Sequence, residues 1–148
     1  MLLEVFKALK SLGAKVLVPT SVISEFSGSE IRDLLNDLVN EGLISVVNVD
    51  EGINTLRGAL RGLGDGELGV LALARSIRHE NTLCILDDKR ARRYAEDLCN
   101  LYTGTLGILY IASKLNIRSK KEIYAICINF SKTKFYIEKP LCEKLVKR

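Results

Sequence analysis

The stretch "LCILDDKRARRYAEDL", Leu83 to Leu98, sets two aspartates at the end of a short apolar run and places Lys89, Arg90, Arg92 and Arg93 directly behind them. A run this short and rich in Leu, Ile and Cys reads as a buried strand, and the mixture of charged and small residues after it reads as a helix. Asp87 and Asp88 then stand at the carboxyl end of a strand. In open α/β sheets that edge is where ligands bind, so paired carboxylates beside a basic helix suggest a metal site with an anionic substrate nearby. The competing reading is a helix N-cap, in which one aspartate satisfies the first amides of the helix and the arginines are simply solvated.

Working outward, apolar residues recur at helical spacing from Leu2 to Leu12 and stop at Gly13. "KVLVP" is a short buried strand, and Thr20 or Ser21 can cap the helix "SVISEF". Ser29 can cap "EIRDLLNDLVNE", which Gly42 ends, and "LISVVNV" is the next strand. Helices are predicted over Glu51 to Leu63 and Asp65 to Arg78, a strand over Thr82 to Leu86, and a helix over Asp88 to Leu98. "NLYTG" reads as a strand or turn. The helices "TLGILYIASKLN" and "SKKEIYAICINF" follow, then "KFYIEK", with Pro140 opening a last helix. Strands alternating with helices imply a parallel α/β sheet in a single domain spanning residues 1–148.

With 47% apolar and 27% charged residues, the composition is that of a folded globular chain. Its apolar runs are too short to span a membrane and no secretory signal opens it, so a cytoplasmic location without membrane contact is expected. Charge is unevenly spread. Residues 1–113 carry 12 Lys and Arg against 15 Asp and Glu, whereas residues 114–148 carry 10 against 3. The basic tail suits nucleic acid, and it also suits an ordinary lysine-rich surface. Cys84, Cys99, Cys127 and Cys142 form no CxxC pair and His79 is the sole histidine. Zinc and histidine-pair chemistry are therefore not expected. Cys84, Cys99 and Cys127 fall at apolar positions and read as buried reduced thiols; a Cys84–Cys99 disulfide stays open for a hyperthermophile source.

The acidic residues show an order. Glu25 follows the strand "KVLVP", Asp65 and Glu67 open the helix "GDGELGVLALARS", and Asp87 and Asp88 end the next strand. Each lies just past a strand end or in the first turns of a helix, where side chains can converge on one rim. Mg²⁺ and Mn²⁺ want oxygen ligands and can activate water against a phosphodiester without any histidine. Taken singly, Glu25 reads as a surface residue and Glu67 as a helix-dipole partner.

In this order the chain resembles the PIN-domain nucleases, and within them the small prokaryotic branch related to the toxins of toxin-antitoxin modules. "VLVPTSVISEF" is similar to that family's strand, proline and glutamate segment, "GDGELGVLALA" to its acidic helix, and "LDDKRARRYAE" to its aspartate and arginine segment. "GTLGILYIASKLN" and "FYIEKPLCEKLVKR" continue the likeness over nearly the whole chain. The resemblance implies a three-layer α/β/α fold with a mostly parallel central sheet. It implies Glu25, Glu67 and Asp87 as catalytic metal ligands, Asp88 as a further ligand, and Asp65 as an auxiliary. Family members open with a strand ending in an aspartate, whereas this chain begins inside the following helix. Relative to the family it is N-terminally truncated, or it has lost that aspartate and some of its activity.

The resulting expectation is a Mg²⁺- or Mn²⁺-dependent endoribonuclease, toxin-like in class, with Lys89, Arg90, Arg92 and Arg93 contacting RNA phosphates without regard to sequence. The alternative is a non-catalytic module that binds RNA or a partner protein. An antitoxin partner follows from the resemblance alone, and the missing strand favours pairing with another chain, including a homodimer. The carboxylates of Glu25, Glu67 and Asp87 are expected to share one shallow acidic pocket, with Asp88 at the helix start and more exposed than Asp87.

Overall fold

Glycine punctuates the first third of the chain in the computed structural model, which describes residues 2–26, 28–132 and 137–147. Helix α1 (Leu2–Ser11) runs out at Gly13, whose φ of 79° few other residues would adopt. Strand β1 (Leu17–Pro19) feeds α2 (Thr20–Ser24) with Pro19 rather than Thr20 or Ser21 at the N-cap. Helix α3 (Ser29–Asn40), with Gly28 at its N-cap, returns the chain through Gly42 (φ 64°) to β2 (Ser45–Val47). β1 and β2 pair in parallel, Val18 opposite Val46. Parallel neighbours need such a crossover, and the helical spacing between the strands supplies it.

The second half repeats the plan. Helices α4 (Asp50–Arg57) and α5 (Asp65–Ser76) lead to β3 (Leu83–Ile85), and α6 (Lys89–Leu98) crosses over to β4 (Leu101–Thr103), which is parallel to β3 with Cys84 opposite Tyr102. "NLYTG" is thus a strand. The helix predicted to reach Leu63 stops at Arg57 because Gly58 follows and Gly62 and Gly64 loosen the segment beyond it. Helices α7 (Thr105–Lys114), α8 (Lys120–Ser131) and α9 (Lys139–Lys147) complete the chain, with Lys139 rather than Pro140 as the first residue of the last. The first half of "KFYIEK", residues 134–136, lies outside the described residues.

The mixed α/β architecture with parallel strands matches the expectation. Among the described residues, however, the strands form two parallel pairs, β1 with β2 and β3 with β4, and the two pairs are not hydrogen-bonded to each other. Among the described residues each of the four strands keeps one edge unpaired. Helix α5 packs against both strands and joins the pairs. Its Leu68 and Leu71 are almost fully buried with Ile53, Leu56, Cys84, Leu86 and Ala91. Helix α5 also lies close enough to β1 and α2 that a Cβ on Gly69 would sit 3.0 Å from Pro19 Cβ. α5 is therefore held close against α2.

A second core gathers Val5 of α1 with Leu109, Ala112, Ile123, Cys127 and Cys142 of the last three helices. Cys127 and Cys142 are disulfide-bonded, with Cα atoms 5.6 Å apart. That corrects the reading of Cys127 as a reduced thiol: its helical position is buried as expected, but α9 lays Cys142 directly over it.

Candidate functional site

An α-helix begins with amides that lack intrahelical partners. At α5 the N-cap is Gly64, which has no side chain to offer, and two glutamates take the role. Glu67, at the third helical position, reaches back so that the Gly64 amide donates to its Oε2 at 2.6 Å. Glu25, the residue that closes α2, comes from 41 residues away and accepts the Gly66 amide at its Oε1, 2.8 Å. The two carboxylates meet over glycines. A Cβ on Gly64 would stand 2.9 Å from Glu67 Oε2 and 3.8 Å from Glu25 Oε1, and one on Gly66 would stand 2.7 Å from the Glu25 Cδ and 2.8 Å from its Oε2. Each carboxylate spends one oxygen on an amide, and among the described residues no hydrogen bond or ion pair takes Glu25 Oε2 or Glu67 Oε1. Asp65, between the two glycines in sequence, turns instead to Arg57 at 2.8 Å.

Asp88 is the N-cap of α6. Its Oδ1 accepts the amides of Arg90 (2.8 Å) and Ala91 (2.9 Å). The Ala91 amide, helped by the Arg90 amide and charge, holds this carboxyl below the usual range. The capping reading of the aspartate pair is thus correct for Asp88. Asp87 is held by another helix: Oδ1 accepts the Thr105 amide at 2.9 Å, Oδ2 accepts the Thr105 hydroxyl at 2.6 Å, and Arg92 approaches Oδ1 at 3.4 Å. Asp87 projects into a cleft of about 450 Å³ lined by Lys89, Arg92, Thr103, Gly104 and Thr105 among others. It is more exposed than Asp88, the reverse of the expected order, because Asp88 folds back over its own helix start.

The carboxylates therefore gather as a pair, Glu25 with Glu67, while Asp87 stands apart with Thr105. Among the described residues no group of three or more His, Cys, Asp and Glu side chains is placed to hold a metal ion. The single acidic pocket expected from sequence does not form, because the unpaired amides at the start of α7 draw Asp87 to them. The cations also divide. Lys89 and Arg92 flank the Asp87 cleft, and Arg92 Nε donates to the Leu86 carbonyl at 2.7 Å, which ties α6 to the end of β3. Arg90 leans instead on the loop before α5, where a Cβ on Gly62 would be 2.7 Å from its Nη1, and Arg93 is exposed. Sequence reading missed Gly64, Gly66 and Thr105. A hydroxyl residue directly after a glycine at a helix start is the one signal that pointed to Thr105.

A family model described as a PIN domain, DUF3368, matches residues 2–148. The chain belongs to the PIN-domain family. PIN domains are generally nucleases, hydrolases of phosphodiester bonds, and typically use divalent metals. The helices and short parallel strands of this PIN domain accord with a PIN-like α/β/α layout. Comparison with curated proteins and with solved structures gave no match. No helix among the described residues is long and apolar enough to cross a membrane.

The Glu25–Glu67 pair fits a hard divalent cation. Mg²⁺ keeps several waters and is commonly bound through only one or two carboxylates, and here two carboxylates reach the same helix start, where only glycines leave room for them. Asp87, hydrogen-bonded to Thr105, and Asp88, capping α6, lie outside that pair.

Proposed function

We propose that this PIN domain is a divalent-metal-dependent endoribonuclease of the kind found as toxins in toxin-antitoxin modules, with Glu25 and Glu67 as the residues that hold Mg²⁺ or Mn²⁺. The observation that carries the reading is the two-carboxylate cradle over Gly64 and Gly66, in a chain whose family is generally nucleolytic. A bound divalent ion supplies Lewis acidity toward a phosphodiester oxygen and lowers the pKa of a coordinated water. The chain's own residues position and attract. The amides of Gly64 and Gly66 fix the two glutamates by charge-assisted hydrogen bonds, and Lys89 and Arg93 offer sequence-blind phosphate contacts. Arg92 acts chiefly by holding α6 against β3.

Activity is modest in this reading, because a site with two carboxylates fills its remaining positions with water. A non-catalytic module that binds RNA is the second reading, and the separation of Asp87 from the glutamate pair favours it. An antitoxin or a second copy of the chain belongs to the proposal as partner. Supporting it are the edge of β3 left unpaired among the described residues and the exposure of its Leu83 and Ile85 beside Leu101.

The test is cleavage of end-labelled single-stranded RNAs across a Mn²⁺ series, comparing the parent with Glu67→Gln. Slow, metal-dependent internal cleavage that Glu67→Gln abolishes while leaving RNA binding intact is expected. RNA binding without cleavage at any Mn²⁺ concentration would establish the second reading.

A further inference from the structure

The two cysteines outside the formed disulfide lie at opposite ends of one supersecondary unit. Cys84 is in β3 and buried, with 5% of its surface exposed, while Cys99 follows α6 as its C-cap and is half-buried. Their Sγ atoms are 2.7 Å apart, closer than two sulfurs come in ordinary van der Waals contact. Their separation along the chain, 15 residues, equals that of the Cys127–Cys142 disulfide.

We propose that Cys84 and Cys99 are a thiol–disulfide modification site, oxidised by a small-molecule disulfide of the glutathione type to a cross-link between β3 and the end of α6. Cys99, the more accessible sulfur, attacks one sulfur of the oxidant as thiolate. A mixed disulfide forms and one small thiolate departs, taking up a proton. Cys84 then loses its proton and attacks the Cys99 sulfur, expelling the second small thiolate. Two protein thiols lose two electrons and two protons in total, and one small disulfide becomes two thiols. Burial reserves Cys84 for this second step, since an oxidant in solution meets the more exposed Cys99 first.

The consequence falls on the basic segment between them. Helix α6 is already pinned at its start by the Asp88 cap and by Arg92 on the Leu86 carbonyl. A bond at its far end closes a loop that contains Asp87, Asp88 and all four cations from Lys89 to Arg93. Oxidation thus fixes both ends of the helix that borders the Asp87 cleft. The proposal stands independently of the nuclease reading.

The experiment equilibrates the parent and Cys99→Ser in buffers stepped from reduced to oxidised glutathione, quenches with acid, alkylates, digests and maps the cysteine peptides by mass. In the parent a Cys84–Cys99 linked peptide is expected to appear and disappear reversibly with the ratio. The parent's Tm should rise between the reduced and oxidised ends by on the order of 10 °C more than that of Cys99→Ser, which keeps Cys127–Cys142. Alkylation of both Cys84 and Cys99 at every ratio, or their persistence as separate glutathione adducts, would overturn the proposal. An equal Tm increment in the parent and in Cys99→Ser would do the same. Should Cys99→Ser fail to fold, the peptide map of the parent alone decides.

Discussion

Replacing Gly66 by alanine probes the carboxylate cradle from the side that has no carboxylate. The added Cβ would overlap the Glu25 carboxylate, whose Cδ lies 2.7 Å away, so the far end of a flexible side chain must swing out. Two stability effects then oppose each other. Alanine is favoured over glycine in a helix by up to about 1 kcal/mol, and the lost amide-to-carboxylate bond costs about 1.5–3 kcal/mol, toward the lower end because Glu25 is exposed. We therefore predict a net destabilisation of about 1 kcal/mol, read as a small fall in the urea midpoint. The metal effect is larger. Displacing a group that orients a bound ion typically lowers affinity by about 10–100-fold, and Gly66→Ala should show a loss of that size in Mn²⁺ binding followed by electron paramagnetic resonance. Glu25→Gln, measured alongside, should match it. Mn²⁺ affinity within about twofold of the parent, in a Gly66→Ala protein that is folded, would refute the assignment of Glu25 as a ligand.

Asp88→Ala should cost about 1 kcal/mol at pH 7 through loss of the α6 cap. Because the folded state lowers this carboxyl's pKa, the contribution is complete above the ordinary aspartate value of about 3.9 and is lost as pH falls through the folded value, so urea midpoints of parent and variant should converge only in acid below the ordinary aspartate range. Thr105→Val removes the hydroxyl bound to Asp87 Oδ2 and should cost about 1 kcal/mol in thermal or urea unfolding while leaving Mn²⁺ affinity at the parent level. A rise in affinity on that change would mean that Asp87, once released, joins the metal. Replacing Lys89 and Arg93 together by alanine should weaken binding to unrelated single-stranded RNAs alike and shallow the salt dependence by about 0.7 for each phosphate no longer neutralised. An unchanged slope would return the basic run to ordinary solvated surface.

What was legible in the sequence was local. The apolar run before Asp87, the capping position of Asp88 and the spacing of Leu68 and Leu71 all express periodicity or helix-end chemistry within a few residues, and β3, α6 and α5 appear where those signals put them. The pairing of Glu25 with Glu67 was legible only as shared order along the chain, since the Glu25 bond to the α5 backbone joins residues 41 apart. The hydrogen bonds of Asp87 were not legible, for a physical reason. Its nearest competitor for hydrogen bonds is Thr105, 18 residues on, and no local pattern ranks that helix start above a metal pocket. Likewise Cys127 read correctly as buried, yet its partner Cys142 became visible only when α8 and α9 were packed together. That the described strands fall into two pairs was not legible, because alternation reports strand count and direction, not which edges meet.

Whether Glu25 and Glu67 form the metal site is decided by anomalous diffraction from crystals grown with Mn²⁺. An anomalous peak is expected over the amino end of α5, bonded to one oxygen of each glutamate with the rest of its coordination made by water. A peak beside Asp87 and Thr105 with none at α5, or no ordered Mn²⁺ at millimolar concentration, would contradict the assignment.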